Sequence, residues 1–468
     1  MSNASRLGLL GDRDFGRFIA ATALGQLGDR IIFLALPLVA VVALNADEFQ
    51  VGLLAAMTTA GSLLVGLPAG AWVDRMRKRP VMISTDLARA LILMTIPVAW
   101  WAGLLTIRWL YAVALLHGVL TVFFDVAYVS YLPHLVGRGN LVEGNSRLSA
   151  IRSVTSISGP TVAGPLVGMV GAPATLLVSS AGMAVSGLLA ITIRKREPRP
   201  EPSGNPQLRR EIKDGLRFVL GHPALRAIML GDAIFNLFLV MYQTMLLIFL
   251  EREMGLQPFG IGLVLSGMGC GALLGALAAT TVSKWVGQGR VIWLAALVTC
   301  PLTVLMPMAR PGWSVCAAAV GLAALSLGGV VRVVAQSSFQ QALTPNRLLG
   351  RMSATTRFVS WGGIPVGGLL GGASGSVFGA TGTLWIGAVG MTLSFLPNFL
   401  SPLRTTRSLP MEEAGLDQLA TALGERPTVD EPLTAVFRRR RVHQCVHAVR
   451  ESVRIFTPPG ARSRRRDP

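Results

Sequence analysis

An all-α integral membrane protein, with twelve transmembrane helices in two pseudo-repeated six-helix bundles, is the fold class this sequence predicts. Three observations predict it. Of 468 residues, 51% are hydrophobic and 14% charged, whereas soluble domains carry about 25% charged residues. Apolar runs long enough to cross a ~30 Å hydrocarbon core, about 20 residues each, recur along the whole chain. The second half repeats landmarks of the first.

The runs are 17–44, 51–73, 81–105, 108–134, 145–171, 173–193, 224–250, 258–282, 290–309, 312–340, 351–378 and 380–402. The first is too long for the apolar part of a leader and holds Asp29 and Arg30, so it reads as a spanning helix. The fifth and eleventh are rich in Gly and polar residues, and are expected to face protein or water rather than lipid. The predicted organisation is a first bundle over 1–193, a middle loop over 194–223, a second bundle over 224–403 and a basic tail over 404–468. In the loop, Pro198, Pro200, Pro202 and Pro206 favour extended chain. Glu211 to Leu220 then alternates at helical spacing, as an amphipathic helix on the membrane surface does. In the tail, Arg438–Arg441 precedes Val442, Val446, Val449, Val453 and Phe456. This reads either as a membrane-binding or regulatory helix or as a partly disordered basic tail.

Landmarks repeat at an offset of 203–205 residues: Leu27-Gly28-Asp29 returns as Leu230-Gly231-Asp232, and Arg152 with Pro160 returns as Arg357 with Pro365. The net charge of +19 is carried by connectors and tail. Connectors 74–80, 135–147, 194–223, 283–290 and 343–351 are rich in Arg and Lys, while 45–50 and 251–253 are poor in cations. The positive-inside rule puts the basic set in the cytoplasm, and an even number of crossings then places both termini there. The expected location is the inner (cytoplasmic) membrane, and a monomer is expected. Basic residues attract anionic lipid headgroups first, and no aromatic–basic interleaving supports nucleic-acid binding. Cys270, Cys300, Cys316 and Cys445 are scattered, without metal spacing or a disulfide frame. No Walker A stretch points to ATP. No catalytic cluster points to an enzyme, and no cofactor is expected.

An ionisable side chain inside a membrane is costly, and so marks function by default. Asp29 falls near the middle of the first run, with Gln26 one turn earlier. A carboxyl there is a candidate to bind protons or a cationic substrate; the alternative is a structural pair with an Arg. Asp232 holds the matching place in the seventh run, and Asn236 and Gln243 extend its polar stripe. That stripe reads as cavity lining or as interhelical hydrogen bonding. Asp125 and Arg332 occupy roughly equivalent repeat positions. They either pair across the halves or each pair within their own half, as Asp125 with Arg152. Arg89, Arg152 and Arg357 are placed within about two turns of the cytoplasmic ends, where long cations snorkel. His117, on an apolar helix, reads as a packed residue. Phe124, Tyr128, Tyr131 and Tyr242 read as core or as stacking surfaces for an organic substrate.

Two stretches carry a sharper signal. Gly70-Ala-Trp-Val-Asp74-Arg75-Met-Arg-Lys-Arg79-Pro lies between the second and third runs. It resembles the helix 2–3 loop of the major facilitator superfamily, G-x-x-x-D-R-x-x-R/K-R/K, at every fixed position. Gly159-Pro160-Thr-Val-Ala163-Gly164 resembles the G-P-x-x-G-G antiporter motif of that superfamily's exporters, with Ala163 in place of one Gly. Its physics is close helix approach at small residues plus a Pro kink, sealing the cytoplasmic or central side against leak. With Phe123–Tyr128, Leu132–Val136, Asn145–Val154 and Glu211–His222, the chain resembles the branch of bacterial macrolide, tetracycline and siderophore exporters. The resemblance implies a secondary exporter of small organic molecules driven by proton entry, with substrate between the halves. It implies that Asp74 caps the start of helix 11 in the outward-open state, with Arg75 and Arg79 paired nearby. A dedicated siderophore or metabolite exporter is the alternative, and a non-transporting sensor or scaffold that works through the basic tail is another. Two departures bear on the coupling ion: Ala114 and His117, not Arg, precede Gly118, and the second copy of the loop motif is degraded around Ser283 and Lys284.

Overall fold

The chain, seen in a computed structural model, is described over residues 12–137, 140–195, 197, 208–312, 314–344 and 348–406. The tail readings at Arg438–Arg441 and beyond lie outside the described residues. Helices follow in the order α1 (Arg13–Leu38), α2 (Glu48–Asp74), α3 (Lys78–Trp101), α4 (Ile107–Val136), α5 (Leu141–Val170), α6 (Ala172–Thr192), α7 (Leu208–Gly221), α8 (Pro223–Ile248), α9 (Pro258–Val286), α10 (Gln288–Thr299), α11 (Ser314–Leu343), α12 (Leu349–Leu393) and α13 (Leu396–Phe399). Their starts follow local chemistry. Asp47 and Gln50 close a capping box on α2, Thr106 caps α4, and Pro223 and Pro258 sit in first turns, where a missing N–H costs nothing.

Among the described residues, ten helices are long and apolar enough to cross a membrane. The difference from the twelve expected runs has two physical causes. Helix α5 carries Glu143, Arg147, Arg152 and a series of Ser and Thr, so its composition is too polar to count. Helix α12 runs through the two last expected spans and breaks at Gly379 (φ 71°, ψ 176°), a backbone setting that disfavours any side chain. The ninth expected run, 290–309, begins as α10 and tightens into a 3₁₀ segment over Cys300–Leu305, where Pro301 supplies no amide donor. Helix α7 covers the amphipathic stretch expected at Glu211–Leu220.

Both α1 and α8 end in a wide π turn, over Val39–Ala43 and Phe249–Glu253. Asn45 (φ 51°) and Gly255 (φ 62°) then reverse the chain. The amides of Ala46 and Leu256 donate to Ala40 and Leu250 in the same way. The sequence repeat is therefore also a repeat of backbone detail.

Among N-terminal helices α1 packs on α5 and α6, α3 on α4 and α6, and α2 on α4; among C-terminal ones α8 packs on α12, and α11 on α9 and α10. The main links between the sets are α2 with α12 and α5 with α9, with a smaller one from α2 to α8. Both main links approach through small residues. Gly52 faces Gly372, and Gly164 faces Gly262 and the Pro258 carbonyl, so that a Cβ at any of these glycines would collide with backbone. The fifth and eleventh runs thus face protein, which accounts for their composition.

The joints are concentrated towards one end. There Arg252 lies 3.2 Å from Glu48 and donates to the Ala46 carbonyl at 2.7 Å. Glu253 accepts from the amide and hydroxyl of Thr381, just past the Gly379 break. Towards the other end, a Cβ on Gly66 or Gly70 would meet nothing within 4 Å. The antiporter-like stretch works at the joined end: Gly159 admits the Arg30 Cβ, the Pro160 carbonyl faces Gly262, and Gly164 faces Pro258. It packs from mid-helix towards the cation-poor connector at 251–257.

Candidate functional site

Two buried polar clusters interrupt the apolar interior. The first gathers around Arg89 on α3, whose side chain is 0% exposed. One guanidinium nitrogen lies 3.3 Å from Asp29 on α1 and donates to the Thr121 hydroxyl on α4, also at 3.3 Å. The other donates to Asp86, one turn back on α3. Asp86 is 1% exposed and accepts a second bond, of 2.6 Å, from the Ser186 hydroxyl on α6. The flat face of Arg89 sits 4.3 Å from the centre of the Phe124 ring, a favourable cation–π setting away from water. His117 on α4, itself buried, places Nε2 3.5 Å from Asp29. Asp29 is the open member, with 29% of its side chain exposed.

The placement of Arg89 corrects the expectation that it snorkels near a helix end. It lies three turns into α3 and is buried, and its partners explain how a charge is held there: two carboxylates, a hydroxyl and an aromatic face. Asp86 escaped the sequence reading, although an Asp three residues before an Arg in an apolar run is a legible i,i+3 pair. His117 is a member of the cluster, beyond the packing role expected for it.

The second cluster joins Asp232 on α8 to Arg332 on α11. Gln336, one turn after Arg332, donates to the same carboxylate and also accepts from Arg332 at 3.4 Å. The Arg332 guanidinium lies 4.4 Å from the Phe235 ring. Arg332 therefore pairs within its own half in this conformation, and the cross-half pair with Asp125 is not formed. Asp125 is exposed on α4, and its charge reaches Arg89. Arg152 lies over the Tyr128 ring at 5.5 Å. Asn236 turns its amide onto the Asp232 carbonyl at 3.0 Å, while Gln243 and Gln26 are half-buried.

Formal charges separate the clusters. Asp29 and Asp86 face one guanidinium, so with a neutral His117 the first cluster carries one uncompensated negative charge. Asp232 and Arg332 balance. Chemically, the first cluster can take up a cation, the simplest being a proton, at its exposed member. The second is a closed pair. No group of three or more metal-ligating side chains occurs among the described residues.

In the helix 2–3 connector, Arg79 donates to the Ala190 and Ile191 carbonyls at 3.1 and 2.6 Å. It thereby caps the C-terminal end of α6, where a cation meets the negative end of the helix dipole. Lys78 lies 3.8 Å from Glu197. Arg75 is exposed and Gly70 is open. The side chains of Asp74 and Arg357 lie outside the described residues.

The sequence profile of the transmembrane secretion effector family matches residues 5–428. The multidrug efflux pump Tap of Mycolicibacterium fortuitum is 27% identical over 367 residues, 76% of this chain and 87% of Tap. The enterobactin exporter EntS of Salmonella choleraesuis (strain SC-B67) is 24% identical over 408 residues, 85% of this chain and 94% of EntS. A bacterial homologue of the iron transporter ferroportin, in its inward-facing state, superposes with a TM-score of 0.66 at 16% identity, over 83% of this chain and 98% of its own. Its helical architecture, its loop stretch at Gly70–Arg79 and these likenesses lead to one conclusion: the chain belongs to the transmembrane secretion effector family of the major facilitator superfamily, a family of multi-pass membrane transporters.

Proposed function

We propose that this chain is a secondary exporter of small organic molecules, driven by proton entry and working by alternating access between two six-helix bundles, 1–193 and 224–403. The observation that carries the coupling is the uncompensated carboxylate at Asp29. It is the exposed member of a buried cluster whose other charges are fixed. A proton taken up there neutralises the cluster, and its release restores the charge. Each proton moving down a membrane potential supplies about 2.3 kcal/mol per 100 mV, enough to drive appreciable uphill export.

The conformation supports the alternating-access reading. With the cation-poor connectors outside, the links Arg252–Glu48 and Glu253–Thr381 close the outer end, and the open surroundings of Gly66 and Gly70 lie on the cytoplasmic side. This is an inward-open carrier with both termini in the cytoplasm, set in the inner membrane as a monomer. Gln26, Asn236 and Gln243 line the path of the substrate. Gly70, Asp74, Arg75 and Arg79 act as the cytoplasmic gate when the inner end closes, Gly159 keeps α5 close to α1, and Pro160 and Gly164 keep the α5–α9 joint tight. The likeness to Tap favours a range of amphipathic drugs, and the likeness to EntS favours a second reading, a single siderophore-like metabolite.

Cells overproducing the chain, loaded with a panel of fluorescent amphipathic dyes, test the export. The expected result is lower dye retention than in control cells, reversed by a protonophore. Equal retention across the panel together with export of a catechol siderophore selects the second reading. Dye export that survives the protonophore contradicts proton drive.

A further inference from the structure

His117 is the one buried titratable group of the first cluster that the coupling scheme leaves without a task. Its Nε2 has no hydrogen-bond partner, although an unmatched buried polar atom is costly. It points at Asp29 across 3.5 Å, slightly too far for a hydrogen bond. Its backbone carbonyl is taken by the Thr121 hydroxyl at 2.8 Å, and that hydroxyl in turn accepts from Arg89. Helix α4 is thus tied to the cluster at Thr121 and stops just short of it at His117.

The surroundings admit few competitors. From α1 the ring faces Asp29, and from α3 it faces Arg89, which holds Asp86 on its far side. Helix α2 meets α4 here through the Thr58 carbonyl against Gly118, with no charged side chain. Arg152 of α5 sits over Tyr128, three turns further along. Asp125 is two turns along and exposed, and has its own partner. One Arg89 nitrogen therefore straddles the Asp29 carboxylate, 3.4 and 3.3 Å from its two oxygens, and the unpartnered ring nitrogen of His117 lies 3.5 Å from the more weakly held one. A bare carboxylate gains nothing from a lone pair at Nε2. A protonated one gains a hydrogen bond, because its O–H then has a buried acceptor in line.

We propose that His117 is a positioning residue for the coupling proton: on protonation, Asp29 turns from Arg89 to His117, and the acid O–H donates to Nε2 while the ring keeps its own proton on Nδ1. One proton is added to a carboxylate oxygen and later leaves from it; no other bond is made or broken. Arg89 then remains with Asp86 and Thr121, so the same proton that neutralises the cluster also loosens the α1–α3 link. This rests on the reading of Asp29 as the proton acceptor.

The experiment is pH-dependent infrared difference spectroscopy of the full chain in lipid bilayers, without any substrate. Wild type is expected to show a carboxylic-acid C=O band growing as pH falls, and Asp29→Asn is expected to lose it. His117→Asn, too short to reach Asp29, and His117→Phe, without an acceptor, are expected to keep the band, move its frequency, and shift its midpoint by about one pH unit towards acid. Histidine labelled in the ring, in the otherwise unaltered chain, is expected to move imidazole bands that titrate with the same midpoint; this needs no variant to fold. A band that survives Asp29→Asn overturns the assignment of Asp29. A band lost in Asp29→Asn but unmoved in the His117 variants and silent to the label overturns the role of His117 alone.

Discussion

The two halves place an Asp at matching positions, Asp29 and Asp232, and then treat them differently. Asp232 is clasped by Arg332 and Gln336 from a single helix, α11, and its charge is cancelled. Asp29 shares its Arg with a second, fully buried carboxylate, and keeps 29% of its side chain exposed. Sequence equivalence therefore does not carry equivalent surroundings. On the proposed reading, a coupling carboxylate differs from a structural one in the count of charges around it. The second cluster joins Asp232 to Arg332 and Gln336, with no counterpart of Asp86 among its described partners.

The largest effects should come from the two arginines, and they sharpen this contrast. Arg89→Leu strands two carboxylates, and removing one partner of a buried pair costs about 3–5 kcal/mol. Folded yield and melting temperature of the purified protein should fall steeply, and adding Asp29→Asn should not restore them, because Asp86 stays unpaired. Arg332→Leu strands one carboxylate, and adding Asp232→Asn should restore most of the loss. Equal rescue in both halves would break the comparison.

An intermediate effect is expected at the joint between the halves. Gly164→Val or Gly262→Val forces side chains into backbone contact, an overpacking worth about 1–3 kcal/mol, read as a lower melting temperature. Gly70→Ala, with open space around it, should melt like wild type in this conformation. A large loss at Gly70 would show that the helices are not parted at that end.

The smallest effect is expected at the end latch. Glu48→Gln removes one of the partners of a part-exposed Arg252, and exposed pairs contribute about 0–1 kcal/mol. Stability should hardly change, while labelling of a Cys introduced near the 251–257 connector should become faster as that end opens more often. Unchanged labelling would reduce this pair to a surface contact.

Much of the helical layout is legible because its signals are local: apolar length, Gly and Pro positions, and the amphipathic stretch that forms α7. The site was half legible. Asp29 and Asp232 announced themselves as charges in apolar runs, and the repeat paired them. Their partners lie 60 and 100 residues away in sequence, and no local spacing joins α1 to α3 or α8 to α11. Arg89 lies deeper than its nearness to the basic connector suggests, and the equivalent repeat positions of Asp125 and Arg332 leave open both a cross-half pair and pairing within each half. The Asp86–Arg89 spacing was the one cue on the page that pointed to a buried cluster on α3.

The central claim, that the first half couples and the second half only holds, is tested most directly by proton entry into inverted vesicles. Purified wild type, Asp29→Asn and Asp232→Asn are compared, each energised by an imposed pH gradient and challenged with the exported dyes. The account predicts dye-dependent proton flux in wild type, its loss in Asp29→Asn, and flux close to wild type in Asp232→Asn wherever that variant folds. Flux retained in Asp29→Asn and lost in Asp232→Asn would contradict it.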